Sequence, residues 1–130
     1  MIIIHDRPSA ARALASTLDP PMRAALEAEL ALLTSGEHDL TDWTDIIVVQ
    51  PGDSEEEIAR EAGFSPFIDP LSGLRFDEPG FEPAWDHLLL CGGVFRLVFT
   101  FGSTFATILL IPNDDGPLAD LCRHQTGDTL

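Results

Sequence analysis

The sequence predicts an α+β fold: a single domain, residues 1–130, in which an antiparallel sheet built around a C-terminal β-hairpin at about 94–111 carries an N-terminal helical hairpin on one face. Three observations predict it. The segment VFRLVFTFGSTFATILLIP consists of two β-rich runs joined by Gly102-Ser103, with glycine first as a type II′ turn prefers. Residues 9–18 and 20–36 carry apolar side chains at helical spacing on either side of an Asp19-Pro20-Pro21 corner. A sheet face rich in phenylalanine must be covered, and those two helices are the available cover.

The elements follow in order. The opening MIII is too short for a leader or an anchor and is followed by Asp6, so neither a signal peptide nor a membrane span is expected and the protein is read as cytoplasmic. Ser9 caps a first helix bearing Ala11, Leu14, Ala15 and Leu18. Asp19 caps the second, whose first position is proline and whose Met22, Leu26, Leu30 and Leu33 form one stripe up to Gly36. DIIVVQ, residues 45–50, is β-branched and bounded by turn residues, a strand buried on both faces. Asp53 or Ser54 then opens a short helix rich in glutamate, stopped by Gly63. Residues 64–83 hold four prolines and two glycines, too many breakers for a long element, and are read as irregular chain anchored by Phe64, Phe67, Phe76 and Phe81. Pro83 is expected to start a helix through Cys91, with Trp85, Leu88 and Leu89 inward and Gly92-Gly93 as its stop.

In the C-terminal hairpin, placing Phe101 opposite Thr104 puts Phe95, Leu97, Phe99 and Phe101 on one face with Ala106, Ile108 and Leu110. The other face mixes Val94, Val98, Phe105, Leu109 and Ile111 with Arg96, Thr100 and Thr107, and calls for another element or a second copy of the chain as its cover, a homodimer. A last helix, 117–124, turns Leu118, Leu121 and Cys122 inward, and residues 125–130 are read as a frayed tail.

Composition limits function. A chain of 130 residues can bury about two-thirds of its unfolded surface, and 45% hydrophobic against 22% charged residues argues for one folded core. The net charge of -15 comes from 22 acids against seven arginines and no lysine. Direct binding to nucleic acid needs a basic patch that displaces counterions, so that class is excluded, and a basic protein partner fits better. Glu55, Glu56, Glu57 and Glu61 make one helix strongly negative, relieved only by Arg60; with Asp77, Glu78, Glu82 and Asp86 they are expected to form an acidic binding surface, as in nuclease inhibitors and nucleic-acid mimics. The reading is a small acidic binding or regulatory protein.

The alternative from another class is a small enzyme or metal site. His87 and Cys91 stand at i and i+4 of the expected helix and Cys122 and His124 on another, a set that would suit tetrahedral zinc if the helices met. No CxxC, HExxH, P-loop or dinucleotide fingerprint accompanies them, so no metal and no cofactor is expected, and the two cysteines read as buried, reduced thiols. Acid pairs such as Asp114-Asp115 and Asp77-Glu78 are expected by chance among 22 acids.

One short stretch, residues 48–63, bears a family likeness. V-Q-P-G-D-S followed by I-A-R and a glycine resembles the first strand, turn and helix of LysM modules over Val49 to Gly63. The resemblance implies a βααβ unit that binds N-acetylglucosamine polymers. The family's apolar position after the Ser/Thr is Glu55 here, and a proline-rich stretch follows Gly63 in place of a second helix.

Overall fold

The structure is a computed structural model that describes residues 1–34, 44–62, 66–69, 71–82, 85, 87–101 and 105–126. Its strands are β1 (Ile2–Ile4), β2 (Thr44–Val48), β3 (His87–Cys91), β4 (Val94–Phe101) and β5 (Phe105–Pro112). Its helices are α1 (Arg7–Ala15), α2 (Pro20–Thr34), α3 (Glu55–Ala62) and α4 (Pro117–Thr126). The strands form one five-stranded sheet in the order β1-β2-β5-β4-β3.

The opening isoleucines, which carried no strand expectation, form β1 and pair antiparallel with β2 from Ile2↔Val48 to Ile4↔Ile46. The sheet is mixed where an antiparallel one was expected, because β2 runs parallel to β5. That position accounts for DIIVV: Ile46, Ile47 and Val48 are all buried, as a parallel strand covered on both sides requires. α1 begins two residues before the expected Ser9. Asp6 is its cap and accepts from the Ser9 amide at 2.8 Å, while the Ser9 hydroxyl oxygen accepts from the Asp6 amide at 3.1 Å, a reciprocal box that leaves Pro8 inside the first turn. α2 buries Met22, Leu26 and Leu30 as its spacing predicts. Gly36, Gly63 and Phe64 lie outside the described residues, as do 127–130, and α4 continues to Thr126.

Two further expectations are corrected. Residues 87–91 form a strand and not a helix: His87↔Val98 to Cys91↔Val94 is an antiparallel pairing, closed by Gly92 and Gly93 at φ of 62° and 84°. Two successive positive φ values are what a type I′ hairpin turn demands, so the glycine pair joins strands where it was read as a helix stop. Second, β4 and β5 meet with Phe101 opposite Phe105, one residue beyond the expected register. A one-residue slip exchanges the faces of one strand relative to the other. Phe95, Leu97 and Phe99 therefore share a face with Leu109 and Ile111, and Ile108 and Leu110 belong to the opposite side.

The helical hairpin packs on one face, and it is the Val94/Val98 face. Ala10 and Ala13 of α1 and Met22, Leu26 and Leu30 of α2 cover Ile4, Ile46, Val48, Val94, Val98, Ile108 and Leu110. The phenylalanine face is covered by Ile58 of α3, by Phe67 and Phe76 of the irregular segment, and by Leu118, Leu121 and Cys122 of α4. Segment 66–82 has little regular structure, and buried side chains hold it down: each large apolar group sealed from water contributes about 1.5–3 kcal/mol. No helix among the described residues is long and apolar enough to cross a membrane.

Candidate functional site

The turn before α3 follows from its residues. Pro51 and Gly52, the latter at φ 93°, sit at the centre of a turn closed by the Asp53 amide donating to the Gln50 carbonyl at 3.1 Å. Ser54 Oγ accepts from the Glu57 amide at 3.1 Å and caps the helix. The residues that resemble LysM thus serve one strand, one turn and one cap. β2 lies between β1 and β5, and among the described residues the next named element after α3 is the strand β3.

α3 places Glu56, Glu57 and Glu61 in solvent and directs Glu55 onto Arg75 of the irregular segment. The Arg75 guanidinium donates to both Glu55 oxygens at 3.2 Å, lies 4.0 Å from Asp77, and is 5.6 Å from the centre of the Phe76 ring. The Arg75 backbone amide donates to Glu78 Oε1 at 3.0 Å. Glu55 and Asp77 therefore face the Arg75 cation while Glu78 binds its backbone amide, and the hydrogen bond that Arg75 donates to Glu55 holds the Arg75 charge even more firmly than usual. Asp69 fixes the segment's shape, accepting from the Leu71 amide at 2.9 Å, the Ser72 hydroxyl at 2.8 Å and, more weakly, the Glu82 amide at 3.4 Å. The Leu71 and Ser72 bonds keep its carboxyl below the usual carboxylate range. Gln125 Nε2 at the end of α4 donates to the Phe76 carbonyl at 3.3 Å, and His124 meets the Phe76 ring edge-on at 5.9 Å.

Of the eight predicted acidic residues, Glu55, Asp77 and Glu78 are brought together around Arg75, Glu56, Glu57 and Glu61 extend the same helix into solvent, and Glu82 is exposed at the far end of the segment. Asp86 lies outside the described residues.

Two members of the thiol and imidazole set, Cys122 and His87, stand on opposite sides of the sheet. Cys122 is fully buried in the cluster under the phenylalanine face, and burial pushes its thiol up to about 12. His87, opposite Val98, belongs to the α2 side of the sheet and is exposed. Of Cys91 only the backbone is described. Among the described residues, no group of three or more His, Cys, Asp or Glu could hold a metal ion. Asp114 closes a turn by accepting from the Gly116 amide at 2.8 Å.

Across the sheet lies a feature that sequence reasoning missed. A groove of about 440 Å³ runs between α2 and the β3–β4 hairpin, walled by Pro21, Ala24, Ala28, Leu89 and Val94. At its floor Arg96 grips Glu29 with two bonds, Nε to Oε2 at 2.7 Å and Nη2 to Oε1 at 2.9 Å. The signal was present as an acid three residues after Leu26 on the inward stripe of α2, and an arginine between Phe95 and Leu97. The chain matches no family model, no curated protein and no solved structure.

Proposed function

We propose that this protein is a binding or regulatory module, not an enzyme, that takes a basic protein partner on the acidic face of α3 and segment 71–82. The observation that carries the reading is the convergence of Glu55, Asp77 and Glu78 on Arg75: it joins two separate acidic stretches into one surface and uses the segment's single arginine internally. Glu56, Glu57 and Glu61 are left facing solvent beside it, relieved by Arg60. A negative patch on a chain of charge -15 accelerates encounter with a cationic partner and repels nucleic acid. Cys122 and His124 lie on the phenylalanine side of the sheet and His87 on the α2 side, which favours this over the enzyme or zinc alternative.

The test compares pull-downs from source-cell lysate. Wild type is expected to retain a basic protein at about 0.1 M salt and lose it near 1 M, where the Debye length falls from about 10 Å to about 3 Å. A Glu56→Gln/Glu57→Gln/Glu61→Gln variant should lose that protein. A Glu27→Gln/Asp115→Asn/Asp120→Asn variant of equal charge should keep it. Equal retention by both variants would make the attraction one of net charge and remove the acidic face from the mechanism.

A further inference from the structure

β3 closes one end of the sheet, and among the described residues no other strand pairs with its outer backbone groups. Proteins guard such edges with charge, proline, a bulge or a short strand. β1 at the other end is three residues long and is followed at once by Asp6 and Pro8. Within β3 itself the residues read HLLLC, with no acid, lysine, arginine or proline, and all five pair with β4 without interruption. Leu89 is 59% exposed and Leu90 42%. Consecutive strand residues point to opposite faces, so no object lying on one face of the sheet covers both leucines. An added strand flanks both.

Charge and sequence say which strand. The groove beside Leu89 carries no net charge, because Glu29 neutralises Arg96 inside it, so a cationic or anionic segment has nothing to grip. The acidic face around Arg75 belongs to elements packed on the other side of the sheet. The three central residues of the strand, Leu88, Leu89 and Leu90, read the same in both directions. Antiparallel pairing of β3 with itself about Leu89 places Leu89 opposite Leu89 and Leu88 opposite Leu90, which gives three leucine pairs in an isologous contact.

We propose that β3 is a self-association edge: two copies of this chain pair β3 with β3, antiparallel about a two-fold axis, and fuse their sheets into one of ten strands. The two Leu89 side chains meet at the axis and shut the outer side of each groove. This contact is independent of the acidic face, and either can fail alone.

Sedimentation equilibrium of the full chain over a wide concentration range tests it. The expected mass is twice 14.1 kDa at the upper end. Two lysines meeting at the axis repel, so Leu89→Lys should raise the dissociation constant by more than about tenfold with an unchanged far-UV spectrum. Leu90→Lys should act likewise, while Leu71→Lys, at a leucine 93% exposed elsewhere, should leave the dimer intact. Amide hydrogen exchange in residues 87–91 should slow as concentration rises. A wild-type chain that stays monomeric throughout overturns the proposal, as do assemblies larger than a dimer. So does a dimer that Leu89→Lys and Leu90→Lys do not weaken.

Discussion

Glu29 on α2 and Arg96 on β4 close a two-bond fork across the junction between the helical hairpin and the sheet, with the Glu29 side chain 5% exposed and that of Arg96 32%. Desolvating a carboxylate is tolerated because the guanidinium matches both oxygens, and the same bonds hold the Arg96 proton more tightly than usual. Removing one partner strands the other. Arg96→Met is expected to cost about 1.5–3 kcal/mol in urea unfolding, the range for hydrogen bonds to charged groups. Glu29→Leu/Arg96→Met should recover most of that loss, since an apolar pair of similar volume avoids the desolvation altogether.

The turn between β3 and β4 depends on two left-handed residues. At Gly93 (φ 84°) a side chain meets only Pro21 Cβ, at 3.9 Å, so the cost of Gly93→Ala is conformational and not steric. It should lower stability by about 1–2 kcal/mol, and Gly92→Asn should be nearly neutral because asparagine accepts positive φ. Thermal unfolding of the two variants separates these outcomes.

Acid should loosen segment 66–82 through Asp69. Its folded pKa is lowered below the unfolded value by the Leu71 and Ser72 bonds, so its contribution is complete above the ordinary carboxylate value and is lost as pH falls through the folded one. Asp69→Asn is expected to flatten the acid limb of a plot of unfolding midpoint against pH, and to leave the neutral region lower than wild type.

At the alkaline end the sign reverses for Cys122. Its thiol binds a proton more tightly folded than unfolded, so stability is complete below the usual 9.0 and declines as pH rises toward about 12. In a Cys91→Ser background, Cys122 should resist a thiol reagent at pH 8 until denaturant is added. Cys122→Ala should remove the alkaline slope.

The parts of this fold written in local chemistry were legible in the chain. The α2 stripe of Met22, Leu26 and Leu30, the buried IIV of β2, the cap of α3 and the inward Leu118, Leu121 and Cys122 of α4 each follow from spacing and turn residues alone. What failed depended on register or on a single glycine pair. HLLLC has no period that separates strand from helix, and Gly92-Gly93 ends a helix or turns a hairpin equally well until the strand beyond it is considered. The face error came from a one-residue difference in the β4–β5 pairing, which exchanges the faces of one strand relative to the other. The acidic residues were easy to find, but Arg75, Asp69 and the Glu29–Arg96 fork were not, because their partners are 20 or more residues distant or lie in turns that only the fold defines.

The position of β5 bears on biosynthesis. β5, the fifth of the described strands in chain order, sits between β2 and β4, so a nascent chain halted before residue 105 holds two sheet fragments with no shared neighbour. Truncation series should therefore show protease resistance arriving only after β5 and the α4 residues that cover the phenylalanine face have emerged, and not growing with each earlier element.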